Sequence, residues 1–415
     1  MEISIKNKNY LGVNSLGRIG KLVLWKQVAS KKFDGVVVNL GRKTGKSIED
    51  IVQTIGMDTT YGTIERFLYG VNCSKSLISV VDKEQLLFEI DGVPVKILTS
   101  ERNPKNIPWK ENGVEVVLDC TGRYVDPTVP YDDPNGSLRG HLVGGARKVV
   151  LSAPFKIKDV SAKQPEDSIM LVYGVNHLDY NPDKHHIVSA ASCTTTGAVH
   201  MLKPLIEDRE ASKILTASMS TVHASTNTQS ILDSVPKAGA SDLRKSRSVF
   251  NNIILSTTGA AKAMESVISE ISRIGFMADS VRIPTNTVSL LIFNLTFSAG
   301  LDEKDNPIIN RKYLNDLFRN AAEGPQKGLL VFSERQNVSS DLIGFPAAVV
   351  IEGRETHTRT GFVELSSEML ASYGIKDSKT IQLPVTHAKL FGWYDNEFGS
   401  YVTALDMLTD YVRTA

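Results

Sequence analysis

The first forty residues contain the pattern that most limits how this chain can fold. A short apolar run at 10–13 is followed by the turn NSLGRIG, a stretch with helical spacing at 19–29 and a β-branched run at 35–38. Strand, glycine-containing turn, helix and strand in this order form a βαβ unit, whose strands are parallel and whose crossover is right-handed. The chain is therefore expected to begin with an α/β domain. Further buried strands of the same sheet are predicted at 114–118 and 148–151.

The pattern changes beyond residue 193. Long runs that alternate apolar and polar residues predict half-buried strands at 214–222, 280–283 and 287–297. Helical spacing predicts helices at 260–274 and 397–413, and a Pro-, Asp- and Gly-rich stretch between 124 and 145 predicts a surface loop. The second part of the chain is therefore expected to be α+β.

Composition excludes several classes of protein. The 415 residues are too many for one hydrophobic core, and 47 basic residues nearly balance 46 acidic ones. This balance argues against nucleic acid or an anionic membrane as the main partner. No apolar run approaches the roughly 20 residues that cross a bilayer, and the first residues do not resemble a signal peptide. Three widely spaced cysteines, an odd number, indicate a reducing compartment, so a cytoplasmic protein is expected.

The turn NSLGRIG directly follows a predicted strand and opens a predicted helix. Backbone N–H groups at such a helix start can hold a pyrophosphate. Gly17 would let the backbone approach the ligand, and Gly20 would let helix and strand pack closely. Ser15 stands where the usual fingerprint has its first glycine. An ordinary strand-to-helix turn has the same pattern, so the motif alone leaves both interpretations open.

Cys193 and His223 are candidate catalytic residues. Cys193 lies among Ser and Thr residues just before a helical run, and a helix N-terminus would lower the pKa of its thiol. His223 ends an apolar strand and could activate a cysteine brought close by folding. Each could equally be a packed structural residue. The chain has no HExxH or CxxC spacing, so no metal site is expected.

Five segments, in order along the chain, closely resemble the glyceraldehyde-3-phosphate dehydrogenase family: SAASCTTTGAVHMLKPL, STVHASTNTQSILD, NNIILSTTGAAKAM, VRIPTNTVSL and GWYDNEFGSY. The resemblance extends from about residue 11 to the C-terminus. It implies a Rossmann-type dinucleotide-binding domain, residues 1–191 completed by a C-terminal helix at 396–415. It also implies an α+β catalytic domain with a mixed or antiparallel sheet, residues 192–395. A cytoplasmic homotetramer that acts in glycolysis or gluconeogenesis would follow.

The resemblance further implies a reaction. Glyceraldehyde 3-phosphate would be oxidised and phosphorylated to 1,3-bisphosphoglycerate, with NADP or NAD as cofactor and inorganic phosphate as the second substrate. Cys193 would form a thioester, and His223 would pair with the thiolate and act as the base.

The remaining functional residues follow from the same match. The substrate-phosphate site would comprise Thr226, Thr228 and Arg282, and the inorganic-phosphate site Ser192, Thr194, Thr258 and Gly259. The cofactor residues would be Asn14, Gly17, Arg18, Ile19, Arg102, Thr121 and Asn396.

The sequence departs from the family pattern in several places. Leu40 replaces the acidic residue that binds the ribose of NAD, and Arg42 and Lys43 follow it, which favours use of NADP, alone or beside NAD. Lys245 stands for an arginine of the inorganic-phosphate site, Gly197 for a second cysteine and Ser400 for a tyrosine. Apparent insertions at 127–136 and 345–384 are expected to form surface or oligomer-contact loops.

Two alternative functions are also compatible with the sequence. A related enzyme could oxidise another aldehyde phosphate, such as erythrose 4-phosphate. A catalytically silent homologue could serve as a binding protein, as the changes at Ser15 and Lys245 would allow.

Overall fold

A computed structural model describes residues 9–236, 238–298, 300–375 and 379–415. The described chain divides into two compact units. The first unit contains the residues up to Ser192 together with Glu397–Ala415, and the second unit is Cys193–Asn396.

The first unit is built on a nine-stranded sheet with the order β10-β11-β9-β8-β1-β2-β7-β6-β5. Its strands are β1 (Tyr10–Asn14), β2 (Gly35–Asn39), β5 (Ile78–Asp82), β6 (Leu87–Ile90), β7 (Val93–Leu98), β8 (Val114–Asp119), β9 (Lys148–Leu151), β10 (Ser168–Met170) and β11 (Ile187–Ser189), and a separate two-stranded ribbon joins β3 (Met57–Asp58) to β4 (Gly62–Thr63). Across the sheet, each strand pairs in parallel with its neighbour from β10, through β11, β9, β8, β1 and β2, to β7. The last two strands, β6 and β5, pair antiparallel at the edge of the sheet.

The helices of the first unit are α1 (Arg18–Ser30), α2 (Ile48–Gly56), α3 (Ile64–Tyr69), α4 (Gly140–Val143) and α9 (Thr403–Thr414). The strands β1 and β2 are buried along their whole length, as their β-branched and apolar residues require. Helix α1 buries Trp25, whose indole N–H donates to the carbonyl oxygen of Ile55 at 2.7 Å and ties α1 to α2. The α/β fold class predicted for this part of the chain is confirmed.

The second unit is built on an eight-stranded mixed sheet, and two of its helices, α5 (Cys193–Glu207) and α6 (Ala260–Val267), pack against each other beside it. Its main order is β13-β14-β12-β15-β19-β17-β16, and β18 pairs with β19. The strands are β12 (Ile214–Ala224), β13 (Ile254–Ser256), β14 (Gly275–Ile283), β15 (Ser289–Ser298), β16 (Leu330–Ser333), β17 (Val349–Glu352), β18 (His357–Leu365) and β19 (Ile381–Tyr394), and the helices are α5 (Cys193–Glu207), α6 (Ala260–Val267), α7 (Arg311–Glu323) and α8 (Ser367–Ser372). Most neighbouring strands are antiparallel, so the predicted α+β class is confirmed.

The helix prediction at 260–274 was wrong in its extent. Helix α6 ends at Val267, because Ile268 is extended, and Ser269–Arg273 forms a 3₁₀ turn instead. The β-branched pair at 267–268 weakens the helix there. The helix predicted at 397–413 agrees with the structure, in which a π-helical turn, Phe398–Val402, leads directly into α9.

The segment at 124–145 is not simply a surface loop. Tyr124 and Leu138 are buried and pack with Val149, Leu151 and Ile187, and residues 140–143 form α4. The loop prediction relied on the high proline and glycine content and missed these buried apolar residues.

The segment at 345–384 is likewise not a loop over its whole length. Strand β17 within it is fully buried, and β18 pairs antiparallel with β19 along its length. Residues 376–378 lie outside the described residues. Within the part of the chain that is described, no helix has the length and apolarity needed to cross a membrane.

Candidate active site

Cys193 and His223 lie side by side in the second unit. Cys193 is the first residue of α5, and His223 is next to the last residue of β12. The Cys193 Sγ atom is 3.6 Å from Nε2 of His223. A helix start thus presents the thiol to the imidazole, which is the arrangement required of an activated cysteine nucleophile.

The Cys193 pKa departs from the expected direction. Burial raises it, and this effect exceeds the lowering by the charge of Arg282 and by hydrogen bonds at Thr194 and the helix start. The expectation of a lowered pKa is therefore not met in this geometry, because desolvation disfavours the thiolate more than the surroundings favour it.

His223 is held in one orientation by its neighbours. Its Nδ1 atom is 2.7 Å from the carbonyl oxygen of Ala224 and 2.5 Å from Nη1 of Arg282. A neutral ring that keeps Nε2 free to accept donates its Nδ1–H to Ala224, so Arg282 acts on it through its charge. Arg282 reaches it because β12 and β14 are parallel neighbours in which residues 223 and 282 are paired. Burial first, and then the charge of Arg282, lowers the pKa of His223 to about 3. The imidazole is therefore neutral at neutral pH.

Tyr394 is a site residue that the sequence analysis did not single out. Its hydroxyl lies 2.9 Å from Oγ1 of Thr194 and 2.8 Å from Oγ1 of Thr221, and burial raises its pKa. Its ring meets that of His223 edge to face, with centroids 5.9 Å apart. Tyr394 thus ties the start of α5 to β12. Its place in the string GWYDNEF, two residues before Asn396, was the available signal.

The proposed phosphate-binding residues of the second unit occur in separate groups. Thr226 and Thr228 lie together, with their Oγ1 atoms 2.9 Å apart. Arg282 has a buried Nε for which the described residues provide no partner. Thr258 and Gly259 precede α6, where the Thr258 hydroxyl accepts from the N–H of Ala260. An unpartnered guanidinium N–H is suited to an anionic ligand.

Asn396 is anchored through its side-chain oxygen. This oxygen accepts from Oγ of Ser289 at 3.1 Å and from Oγ1 of Thr287 at 3.4 Å. Ser289 also accepts from the N–H of Ala224, next to His223. The amide nitrogen is therefore the end of Asn396 that can donate to a ligand. Ser192 is the last residue of the first unit.

The first unit contains a cleft of about 260 Å³ at the carboxyl ends of β1, β2 and β8. It brings four of the predicted cofactor residues together, and it is lined by Asn14, Ser15, Asn39, Leu40, Gly41, Arg42, Arg102, Thr121, Arg123 and Tyr124. This is the edge of a parallel sheet at which dinucleotides bind.

The turn before α1 fits a pyrophosphate. A Cβ atom at Gly17 would meet only Oγ of Ser15, at 3.8 Å, so the space in front of the helix start is open. A Cβ atom at Gly20 would lie 2.0 Å from the carbonyl oxygen of Ser15, so only glycine packs there. Ser15 has a φ of 90°, a conformation that favours the glycine it replaces.

Arg18 is not directed at this cleft. Its guanidinium pairs with Asp58 and with Glu397, the latter at 2.5 Å, and so holds the start of α1 to its neighbours within the first unit. Only its backbone and that of half-buried Ile19 remain for a ligand at the helix start. Arg18 stays a predicted cofactor residue, with its backbone as the part available to the ligand.

Comparison with known proteins agrees with this geometry. Residues 10–127 match the model of the glyceraldehyde 3-phosphate dehydrogenase NAD binding domain, and residues 192–368 match that of its C-terminal domain. The chain is 33% identical over 404 residues to glyceraldehyde-3-phosphate dehydrogenase of Streptomyces coelicolor, covering 97% of this chain and 98% of that protein. It is 30% identical to glyceraldehyde-3-phosphate dehydrogenase 1 of Bacillus cereus, with 96% of each chain covered. It is 31% identical to a chloroplastic enzyme of Arabidopsis thaliana, of which 78% is covered. With these matches along nearly its whole length, the chain belongs to the glyceraldehyde-3-phosphate dehydrogenase family.

Proposed function

We propose that this protein oxidises glyceraldehyde 3-phosphate and phosphorylates it to 1,3-bisphosphoglycerate. The observation that carries the proposal is the 3.6 Å approach of Cys193 Sγ to His223 Nε2, with Arg282 beside the imidazole. The family membership and the open helix start in the first unit support the same reaction.

Each step uses a group that is present. Cys193 gives its proton to Nε2 of His223, Sγ bonds to the aldehyde carbon, and His223 passes the proton to the aldehyde oxygen, which becomes a hydroxyl. His223 then takes the hydroxyl proton while a hydride leaves the same carbon, which yields a thioester on Cys193. Phosphate attacks the thioester carbon, the C–S bond breaks, and the acyl phosphate departs.

Arg282 is assigned to the substrate's phosphate, together with Thr226 and Thr228. A phosphate beside the guanidinium offsets the charge that lowers the pKa of His223. Substrate binding therefore moves that pKa towards the range in which a general base works best. The inorganic-phosphate site is assigned to Ser192, Thr194, Thr258 and Gly259, at or next to the starts of α5 and α6.

When bound, a nicotinamide dinucleotide supplies the hydride acceptor. Asn14, Arg102 and Thr121 would hold it in the cleft, the backbone from Gly17 to Ile19 would face its pyrophosphate, and the amide nitrogen of Asn396 would donate to the nicotinamide.

We assign NADP as a cofactor, alone or beside NAD. Arg42, Arg102 and Arg123 line the cleft, and none of its described lining residues carries a carboxylate. Leu40 occupies the position from which an acidic side chain would repel a 2′-phosphate. Arginine suits bidentate contacts to such a phosphate.

A cytoplasmic homotetramer is the assembly that the family resemblance favours. The second unit exposes several large apolar side chains within residues 231–277, namely Ile231, Leu232, Val235, Leu243, Phe250, Ile253, Leu255 and Met277. Exposed apolar groups of this kind mark protein contacts.

The direct test follows reduced-cofactor absorbance with glyceraldehyde 3-phosphate, with and without phosphate. We expect phosphate-dependent turnover in the wild type, none with Cys193→Ser, and normal turnover with the control Cys73→Ser. Faster turnover of erythrose 4-phosphate would support the related enzyme, and no turnover of either aldehyde would support the silent homologue.

A further inference from the structure

A continuous chain of buried hydrogen bonds runs through the first unit to the cleft. It joins side chains that are each at most 3% exposed: Trp109, His141, Asp119, Asn14 and Asn39. The successive distances are 3.0 Å from Trp109 Nε1 to His141 Nδ1, 3.0 Å from His141 Nε2 to Asp119 Oδ2, 2.9 Å from Asn14 Nδ2 to Asp119 Oδ2, and 2.9 Å from Asn39 Nδ2 to Asn14 Oδ1.

The chemistry of its members fixes the direction of every bond. The indole N–H of Trp109 can only donate, so Nδ1 of His141 accepts and Nε2 carries the proton towards Asp119. A carboxylate only accepts, so Asn14 must turn its amide nitrogen to Asp119 and its oxygen to Asn39. Asn39 must therefore present its nitrogen to Asn14.

Asn39, the last residue in this series of hydrogen bonds, has one polar side-chain atom without a partner among the described residues. The amide nitrogen of Asn39 donates to Oδ1 of Asn14 and also to the carbonyl oxygen of Glu101, at 3.1 Å. Its Oδ1 is buried and has no hydrogen-bond partner among the described residues. Asn39 lines the cleft and is the last residue of β2. A buried acceptor without a partner is costly unless a ligand supplies the donor.

We propose that Oδ1 of Asn39 accepts a hydrogen bond from a hydroxyl of the cofactor's adenosine ribose. The end of the second strand is where this ribose is held in dinucleotide-binding sheets. Asn14, Asp119, His141 and Trp109 are positioning residues that keep the amide in this orientation. The inference rests on the proposed dinucleotide-dependent function.

This assignment accounts for the loss of the acidic residue at Leu40. A carboxylate accepts from the ribose but repels a 2′-phosphate, whereas an amide oxygen accepts and carries no charge. Asn39 can therefore accept from either hydroxyl of NAD and from the 3′-hydroxyl of NADP, whose 2′-oxygen carries the phosphate, and the arginines of the cleft act on that phosphate.

The test compares two ligands on the same protein. The measured quantity is the ratio of their affinities, which does not depend on how stable a variant is. Calorimetric titration compares NAD⁺ with its 2′-deoxyadenosine and 3′-deoxyadenosine analogues. The wild type should bind at least one analogue about 2- to 10-fold more weakly than NAD⁺, the usual effect of one hydrogen bond. Asn39→Ala should bind that analogue and NAD⁺ equally, and the control Asn112→Ala, a buried asparagine outside the cleft, should discriminate like the wild type.

The positioning residues are tested by the same measurement, the ratio of the affinity for NAD⁺ to the affinity for the deoxy analogue. His141→Leu removes the donor to Asp119 and should reduce the discrimination, whereas His141→Gln keeps an N–H there and should restore it. The inference is overturned if the wild type does not discriminate, if Asn39→Ala discriminates as well as the wild type, or if both His141 variants behave alike. Absence of any binding of NAD⁺ and NADP⁺ to the wild type would instead overturn the proposed function.

Discussion

Arg282 is the residue that links the charges of the candidate active site. Its guanidinium lowers the pKa of Cys193 and also that of His223, so one side chain favours the thiolate and disfavours the imidazolium. Its own pKa is lowered by burial, and its Nε is without a described partner. An anion bound at this position would accept from the Nε–H of Arg282. By offsetting the positive charge, it would also raise the pKa of both Cys193 and His223.

Arg282→Leu should shift the pH profile of Cys193 alkylation by iodoacetamide to higher pH, because the cation that lowers the thiol pKa is gone. The same change should raise the Michaelis constant for glyceraldehyde 3-phosphate far more than that for unphosphorylated glyceraldehyde. Arg273→Leu, which removes an exposed arginine from the same unit, is the control. Equal losses on both aldehydes, with an unshifted alkylation profile, would assign Arg282 a structural role.

His223 should make stability depend on pH in a defined window. Its pKa is lowered from 6.5 to about 3 in the folded protein, so the unfolded chain binds the extra proton between these values. The free energy of unfolding therefore falls as the pH drops from about 6.5 towards 3. Urea unfolding at pH 7 and pH 4 should show a smaller pH-dependent loss for His223→Asn than for the wild type, and identical losses would contradict the burial of a neutral imidazole.

At the scale of elements, the sequence predicted those helices and strands whose structure follows from their own pattern of residues. The βαβ unit at the start was predictable, because β1 and β2 are buried on both faces and Gly20 must meet the backbone of Ser15. The pairing of Cys193 with His223 was not predictable from spacing alone, since it arises from distant segments, and the family resemblance supplied it. The Trp109–His141 bond was missed because it depends on a fold in the segment expected to be a loop.

The two glycines of the first turn should behave differently. Gly17→Ala should leave the free energy of unfolding nearly unchanged, since a Cβ atom there meets only Oγ of Ser15 at 3.8 Å, but should weaken dinucleotide binding by filling the ligand's space. Gly20→Ala should destabilise the protein by about 1–3 kcal/mol, because its Cβ atom would overlap a backbone oxygen. Urea unfolding and calorimetric titration measure the two effects, and the opposite ranking would refute these roles.

The loop after β2 should set the choice of cofactor. Arg42→Ala should weaken NADP⁺ binding more than NAD⁺ binding, and Leu40→Asp should shift the preference towards NAD⁺ by restoring a carboxylate beside the ribose. Titration of both dinucleotides checks this, with Lys110→Ala, an exposed cation away from the cleft, as the control. A wild type at least tenfold more efficient with NAD⁺ would contradict the assignment of NADP.

At the scale of the whole molecule, the exposed apolar residues of the second unit should govern assembly. Leu232→Lys combined with Ile253→Lys should shift the sedimentation coefficient towards that of a monomer, because charged side chains oppose burial in a contact. Val160→Lys, at an exposed apolar position in the first unit, should sediment like the wild type. A monomeric wild type, or a tetramer unaffected by the paired change, would exclude this surface as the contact.

The first unit is closed by the last residues of the chain. Asp406 of α9 accepts from Gln27 of α1 at 2.5 Å and pairs with Lys32 at 3.0 Å, and Glu397 holds Arg18. The first unit is therefore discontinuous in sequence, and a fragment that lacks Glu397–Ala415 loses contacts that hold α1 in place. The second unit is one continuous segment that carries all of its described strands and helices. Cleavage of the chain near residue 396 would therefore leave the second unit uninterrupted and divide the first.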